Sequence, residues 1–308
     1  MEGHFPLKTS RLTIKVPTDF SFSRTIFSHG WCRLPPFSID KEAPHLHRII
    51  RLKDGAIFSC TLTARRQTIE VLVAGAGKTA PRQRKELTGV LKTCLRLEED
   101  FSGFHAEARR HPRFRWIARH GAGRMLRSPT VFEDTVKMIC TTNCTWELTT
   151  LMVTNLVRMF GTRFDGSFHA FPTPEAIAGS TEAVLRKEIK AGYRSPYLLE
   201  LAEKTASKQI DIEAWRTSTV STDQLFNKIL NIKGIGPYAA GNILKLLGRY
   251  DYLGLDSWVR AKYYELYREG RVVKDSTIER DYMPYGTWRG LFFWLDMTRQ
   301  WYEQKFPL

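Results

Sequence analysis

Residues 225–267 read LFNKILNIKGIGPYAAGNILKLLGRYDYLGLDSWVRAKYYELY, and the rest of the chain is best understood outward from this stretch. A helical apolar pattern ends near Asn231, and Gly234-Ile235-Gly236 follows it. Pro237 then opens a second helix whose apolar face is Ala240, Ile243, Leu244 and Leu247. Two glycines permit a tight turn and put no side chains in the way. The amides of the turn and of the next helix's N-terminus are expected to face outward together, where they bind phosphate without reading bases. Lys233 and Lys245 are expected to add charge at that surface. Further on, Leu253-Gly254-Leu255-Asp256-Ser257-Trp258 sets an acid ahead of a third helix. As an N-cap, Asp256 contributes about 1 kcal/mol. That role is compatible with a chemical one.

Charge points the same way. Lys and Arg outnumber Asp and Glu by 47 to 32, a net +15, and 43% of residues are hydrophobic. That is globular composition with a surplus that favours a polyanionic partner, nucleic acid before an anionic membrane surface. No apolar run is long enough to span a bilayer, and MEGHFPLKTSRL lacks the basic-then-apolar layout of a signal peptide. The expected location is the cytoplasm, beside the nucleoid, in a bacterium, or the nucleus in a eukaryote. The five cysteines (Cys32, Cys60, Cys94, Cys140 and Cys144) include no CxxC pair, which argues against a disulfide framework and against a metal site. Gly75-Ala76-Gly77-Lys78-Thr79 mimics the end of a phosphate-binding loop. Leu72 holds the place of its first glycine, and Pro81 interrupts the helix that should follow, so nucleotide triphosphate binding is excluded.

Outward from the hairpin, the pattern divides into a β-rich part over 1–99 and a helical part over 100–308, with a cleft expected between the halves of the latter. Alternating segments at 11–16, 56–62 and 69–73 predict strands, and Leu87, Val90, Leu91, Cys94 and Leu95 predict a helix over about 82–98. The fold class is α+β: a small antiparallel sheet with helices, followed by an all-α region. Ser128-Pro129 predicts a helix start, and helices are expected over about 146–160, 181–189 and 195–206, with Phe171-Pro172-Thr173-Pro174-Glu175 as a turn and helix start. A last helix over about 287–303 aligns Leu291, Trp294, Leu295, Thr298 and Tyr302.

The hairpin followed by an aspartate resembles the helix-hairpin-helix superfamily of DNA glycosylases. Residues 128–146, SPTVFEDTVKMICTTNCTW, resemble the helix of 8-oxoguanine and 3-methyladenine glycosylases that leads to a gap-filling residue. Residues 171–199, with Gly192-Tyr193-Arg194 and Tyr197, resemble 8-oxoguanine glycosylase. The likeness covers most of the chain, though the first hundred residues match only in pattern. It implies Asp256 as the catalytic carboxylate and Asn143 as the residue filling the gap left by an everted base. It implies Tyr193 as a wedge beside the orphaned partner base, with Arg194 following it at the DNA. Gly234, Ile235 and Gly236 become the DNA-gripping hairpin, whose carbonyls in the family often hold a monovalent cation.

Two departures matter. Bifunctional members carry a lysine nucleophile two places after the second hairpin glycine, where this chain has Tyr238. An aromatic there resembles 3-methyladenine glycosylase II, which releases the base by hydrolysis. The four-cysteine iron–sulfur loop of some members is missing, since no cysteine lies beyond Cys144. The resemblance therefore implies a monomeric, monofunctional DNA glycosylase without cofactor or resident metal, acting on duplex DNA with a damaged purine-type base. The body of the chain resembles an oxidised-base enzyme and Tyr238 an alkylated-base enzyme. Tyr238 and Trp258 are expected to line the lesion pocket. The competing readings are a bifunctional lyase with a displaced lysine and a damage-binding protein without catalysis.

Overall fold

The computed structural model describes residues 7–40, 44–166 and 168–303. Along the chain, β1 (Lys8–Lys15) is followed by α1 (Phe22–Ile26), β2 (Phe37–Ile39), β3 (Leu46–Arg51), β4 (Ile57–Ala64) and β5 (Thr68–Gly75). The strands form one antiparallel sheet in the order β1-β5-β4-β3-β2. Alternation explains the expected strands: Leu12 and Ile14, Phe58, Cys60 and Leu62, and Ile69, Val71 and Val73 are buried, while Leu72 points outward. β2 and β3 carry no such signature. β2 is three residues long, and β3 puts Arg48 in its middle.

Arg48 is buried because its partner is buried with it. Its guanidinium makes two bonds to the Glu133 carboxylate, at 3.1 and 2.6 Å, and Lys137 Nζ lies 2.7 Å from the same group. Each of the three is at most 3% exposed.

Helix α2 (Pro81–Leu95) buries Leu87, Leu91, Cys94 and Leu95 of the expected stripe, with Val90 half-buried, and ends at Arg96, whose φ of 57° turns the chain out of the helix before residue 98. The chain then forms two compact units. One combines residues 1–99 with 124–210, and the other combines 100–123 with 211–308. The second unit begins with α3 (Ser102–Arg110) and α4 (Arg115–His120). Back in the first unit come α5 (Val131–Thr141), α6 (Trp146–Phe160), α7 (Pro174–Ala178), α8 (Glu182–Lys187) and α9 (Ser195–Ala206). Ser128 does not cap α5. Thr130 does, its Oγ1 accepting the Glu133 amide at 3.2 Å.

The second unit resumes with α10 (Thr222–Leu230), α11 (Pro237–Leu247), α12 (Ser257–Tyr267), α13 (Asp275–Tyr282), α14 (Arg289–Met297) and α15 (Arg299–Glu303). The single long C-terminal helix expected from periodicity is thus two. Thr298 donates its hydroxyl to the Trp294 carbonyl at 2.7 Å and takes φ −102°, which breaks the helix while Leu291, Leu295 and Tyr302 stay buried. Phe104 of α3 packs on Phe292 and Trp288, with ring centroids 4.9 and 5.1 Å away. Among the described residues, no helix is long and apolar enough to cross a membrane.

Candidate active site

In the second unit, Leu225 and Ile229 anchor α10, and the chain turns through Ile232 to Gly236. The Ile235 amide donates to the Ile232 carbonyl at 3.1 Å. Gly234 sits at φ +83°, the left-handed region that favours glycine, whereas Gly236 is extended and caps α11. A β-carbon at Gly236 would touch nothing, so neither backbone strain nor packing within the chain requires glycine there. Ile235 is buried and pins the turn, and Lys233 is exposed beside it. No side chain of Gly236 caps α11, and a helix N-terminus of this kind suits an anion.

Lys245 does not join that surface. It is fully buried, and its Nζ donates to the Leu253 carbonyl at 2.6 Å and to Asn242 Oδ1 at 3.1 Å. Burial pushes its pKa down to about 7, against the pull of Asp256, which favours the charged form. Asn242, which the sequence reading passed over, bonds through Nδ2 to the Tyr238 carbonyl at 3.0 Å. The loop that Lys245 grips passes so close that a β-carbon on Gly241 would lie 3.1 Å from Gly254 Cα, and one on Gly254 would lie 2.8 Å from Lys245 Nζ. Gly254 also takes φ +66°.

That loop is held a second time. The Gly290 amide donates to the Tyr250 carbonyl at 2.7 Å, Arg289 Nε bonds the Asp251 carbonyl, and a side chain at Gly290 would collide with the Tyr252 carbonyl. Held by α11 and by the start of α14, the loop delivers Asp256. Its Oδ1 accepts the Val259 amide at 2.8 Å, so the acid does cap α12, and the residue is only partly buried.

The aromatic residues sort themselves by contact. Trp258 is 42% exposed and packs at a tilt beside Trp301, with ring centroids 5.2 Å apart, and Trp294 lies at 6.5 Å. Tyr238 is half-buried in the first turn of α11. Trp288 is half-buried and packs against Tyr250 and Phe104. Trp146, in the first unit, covers Gly30, where any β-carbon would overlap its ring.

The first unit carries the other sequence-predicted group. Asn143 is exposed just beyond α5 with φ +44°, and its Nδ2 lies 3.5 Å from Tyr193 Oη. Tyr193 is 46% exposed, and its hydroxyl donates to the Thr142 carbonyl at 3.3 Å. The two predicted gap residues are therefore neighbours. Arg194 is not beside them on the surface. It is buried, bonds the Thr142 carbonyl and places its guanidinium 4.4 Å from the Tyr193 ring, so it holds the Asn143 turn from below. No cluster of metal-ligating side chains occurs among the described residues.

Residues 136–283 match the family of HhH-GPD superfamily base excision DNA repair proteins. A probable N-glycosylase/DNA lyase of Methanothermobacter thermautotrophicus is 27% identical over 152 residues, 42% of this chain and 47% of that protein. The chain thus spans about half the length of this curated relative. The 3-methyladenine DNA glycosylase of Archaeoglobus fulgidus superposes with a TM-score of 0.72 at 19% identity, over 96% of this chain and 99% of the other. The Clostridium acetobutylicum 8-oxoguanine glycosylase/lyase, in complex with double-stranded DNA containing cytosine opposite 8-oxoguanine, also gives 0.72, at 16% identity over 97% and 98%. At such identities the likeness shows the fold. This chain has the α+β fold of those two enzymes, and α+β is the class its sequence predicts.

Proposed function

From a chain whose residues 136–283 carry the HhH-GPD base-excision domain, we propose a monofunctional DNA glycosylase that removes a damaged purine-type base from duplex DNA, with Asp256 as its catalytic carboxylate. The observation that carries this reading is the doubly held loop that ends in a partly exposed Asp256, one helix beyond a phosphate-ready hairpin. A base inside a duplex is out of reach and has to be swung out first. Breaking its glycosidic bond leaves positive charge on the sugar. A fixed carboxylate beside that charge lowers the barrier and orients the attacking water. Asn143 and Tyr193 fill the gap in the stack. Lys233 and the α11 amides hold the backbone, and Tyr238 and Trp258 offer faces to the lesion.

Tyr238 supports hydrolysis without strand cleavage. A lyase needs an amine that forms an iminium with the sugar, and a phenol cannot form one. Lys245 shares α11 but is sealed from solvent with its Nζ on the Leu253 carbonyl, so its amine is out of reach of a sugar. The lyase reading draws on the name of the archaeal relative and would need another lysine, such as Lys228 or Lys233.

One experiment separates these. Duplexes carrying single lesions (7-methylguanine, hypoxanthine, 8-oxoguanine) are incubated with the protein at neutral pH, with and without borohydride. Base release with strand breaks only after alkali or heat, and no trapped adduct, is the expected result. Tyr238→Lys is expected to gain weak trapping. A wild-type adduct would replace the monofunctional reading with the lyase, and DNA binding without release would leave a damage-binding protein.

A further inference from the structure

Resting on the excision reading above, we propose that Lys245 is a positioning residue for Asp256: with Asn242 it holds the Leu253 carbonyl, and so sets where the carboxylate stands. Long basic side chains usually reach for water. This one turns inward at a cost in desolvation, and its acceptors include the backbone of the loop leading to Asp256 and the side chain of Asn242. Asn242 is anchored in turn to the Tyr238 carbonyl, within its own helix. The chain of contacts therefore runs from rigid α11, through two side chains, to a backbone carbonyl three residues before the acid. Gly241 and Gly254 let the two backbones close to the distance this requires.

An aliphatic side chain would fill the same space without drawing the carbonyl inward. The ammonium adds directed, charge-assisted bonds, about twice as strong as neutral ones. Asp256 acts on it from the start of α12, while Asp251 and Arg289 belong to the second clasp, where Arg289 holds the Asp251 carbonyl and Asp251 Oδ2 accepts from Thr222. With burial pushing its pKa to about 7, Lys245 loses its proton across the neutral range. The grip on the loop slackens as pH rises.

The test compares wild type, Lys245→Met and, in case the buried variant fails to fold, Asn242→Ala at the half-buried anchor. Amide hydrogen exchange over residues 250–259 is followed from pH 6 to 9, corrected for intrinsic rates. Single-turnover base release is measured on 7-methylguanine and 8-oxoguanine duplexes, and affinity on a duplex with a tetrahydrofuran abasic site. Lys245→Met is expected to speed exchange in this segment and to lower the release rate about tenfold. Abasic-site affinity should hold, and the decline of wild-type activity above pH 7 should flatten. Asn242→Ala moves the same readouts less. A folded variant of either kind with unchanged exchange, rate and pH profile overturns the proposal. Wild-type protein that releases neither base, while its 250–259 amides still respond to Lys245→Met, overturns the excision reading and keeps the clasp.

Discussion

Asparagine caps a helix nearly as well as aspartate, which makes Asp256→Asn an unusually clean substitution. The bond to the Val259 amide is kept, and only the charge that would meet the sugar cation is removed. Base release in single turnover is expected to fall by at least about a hundredfold, with affinity for abasic-site DNA intact. A near-wild-type rate would remove Asp256 from the chemistry. Asn143→Ala and Tyr193→Ala are expected to slow excision from a well-stacked duplex far more than from one whose target is mispaired, because a loosened base costs less to unstack. Equal slowing on both substrates would place these residues in another role. The capping role of Asp256 was legible in the sequence because a short acid ahead of a helix has few places to go. Lys245 and Arg194 were not. Both are long side chains with four or more torsions, and sequence spacing places their Cα atoms without saying whether their heads turn to water or to a carbonyl. Asn242 was missed because a polar residue inside an apolar helix gives no sign that it ties the Lys245 ammonium to the Tyr238 carbonyl.

At the scale of elements, α5 shows where periodicity stops informing. It is buried nearly all round, yet it carries Glu133, Asp134 and Lys137. The helix is tolerable in a core because β3 supplies Arg48, and because Asp134 accepts from Trp31 Nε1 at 2.8 Å and from the Ser128 amide at 2.9 Å. β3 itself was illegible for the reciprocal reason, since Arg48 interrupts its apolar pattern and the partner lies far along the chain. Alternating β1, β4 and β5 and the amphipathic α2 and α6 needed no distant partner, and the sequence places them closely. Glu133→Ala would strand Arg48 and Lys137 without their counter-charge. It is expected to destabilise the fold by about 3–5 kcal/mol, read as a lower urea midpoint. Burial raises the Glu133 pKa, but Arg48 and Lys137 outweigh it and hold the group at about 2, below its ordinary 4.5. Its folded-state pKa is depressed, so its stabilisation is complete above pH 4.5 and is lost as pH falls through 2. Wild type is therefore expected to lose stability steeply between pH 4.5 and 2, and Glu133→Gln much less so.

For the whole molecule, the net charge of +15 makes affinity for undamaged duplex a matter of counter-ions. Binding is expected to weaken steeply and linearly in log–log form with salt, by about 0.9 in slope for each phosphate neutralised. Lys233→Ala is expected to reduce that slope by about 1, the share of a single phosphate contact. A salt titration that is flat, or unaffected at Lys233, would discount the hairpin as a backbone grip. The discontinuous units add a matter of timing. Residues 1–99 and 124–210 are all available once residue 210 has been made, but α3 belongs with helices at the far end of the chain. Phe104 packs on Phe292, so during synthesis it waits for the intervening chain, roughly 10–40 s at 5–20 residues per second. Through that interval Phe101, Phe104 and Phe114 stand uncovered on a nascent chain, a span long enough for a chaperone to find them. The loop carrying Asp256 waits as well, since Gly290 is among its clasps, so a polypeptide halted short of α14 emerges with its sheet and its Asn143–Tyr193 pair assembled but its acid held by the Lys245 clasp alone.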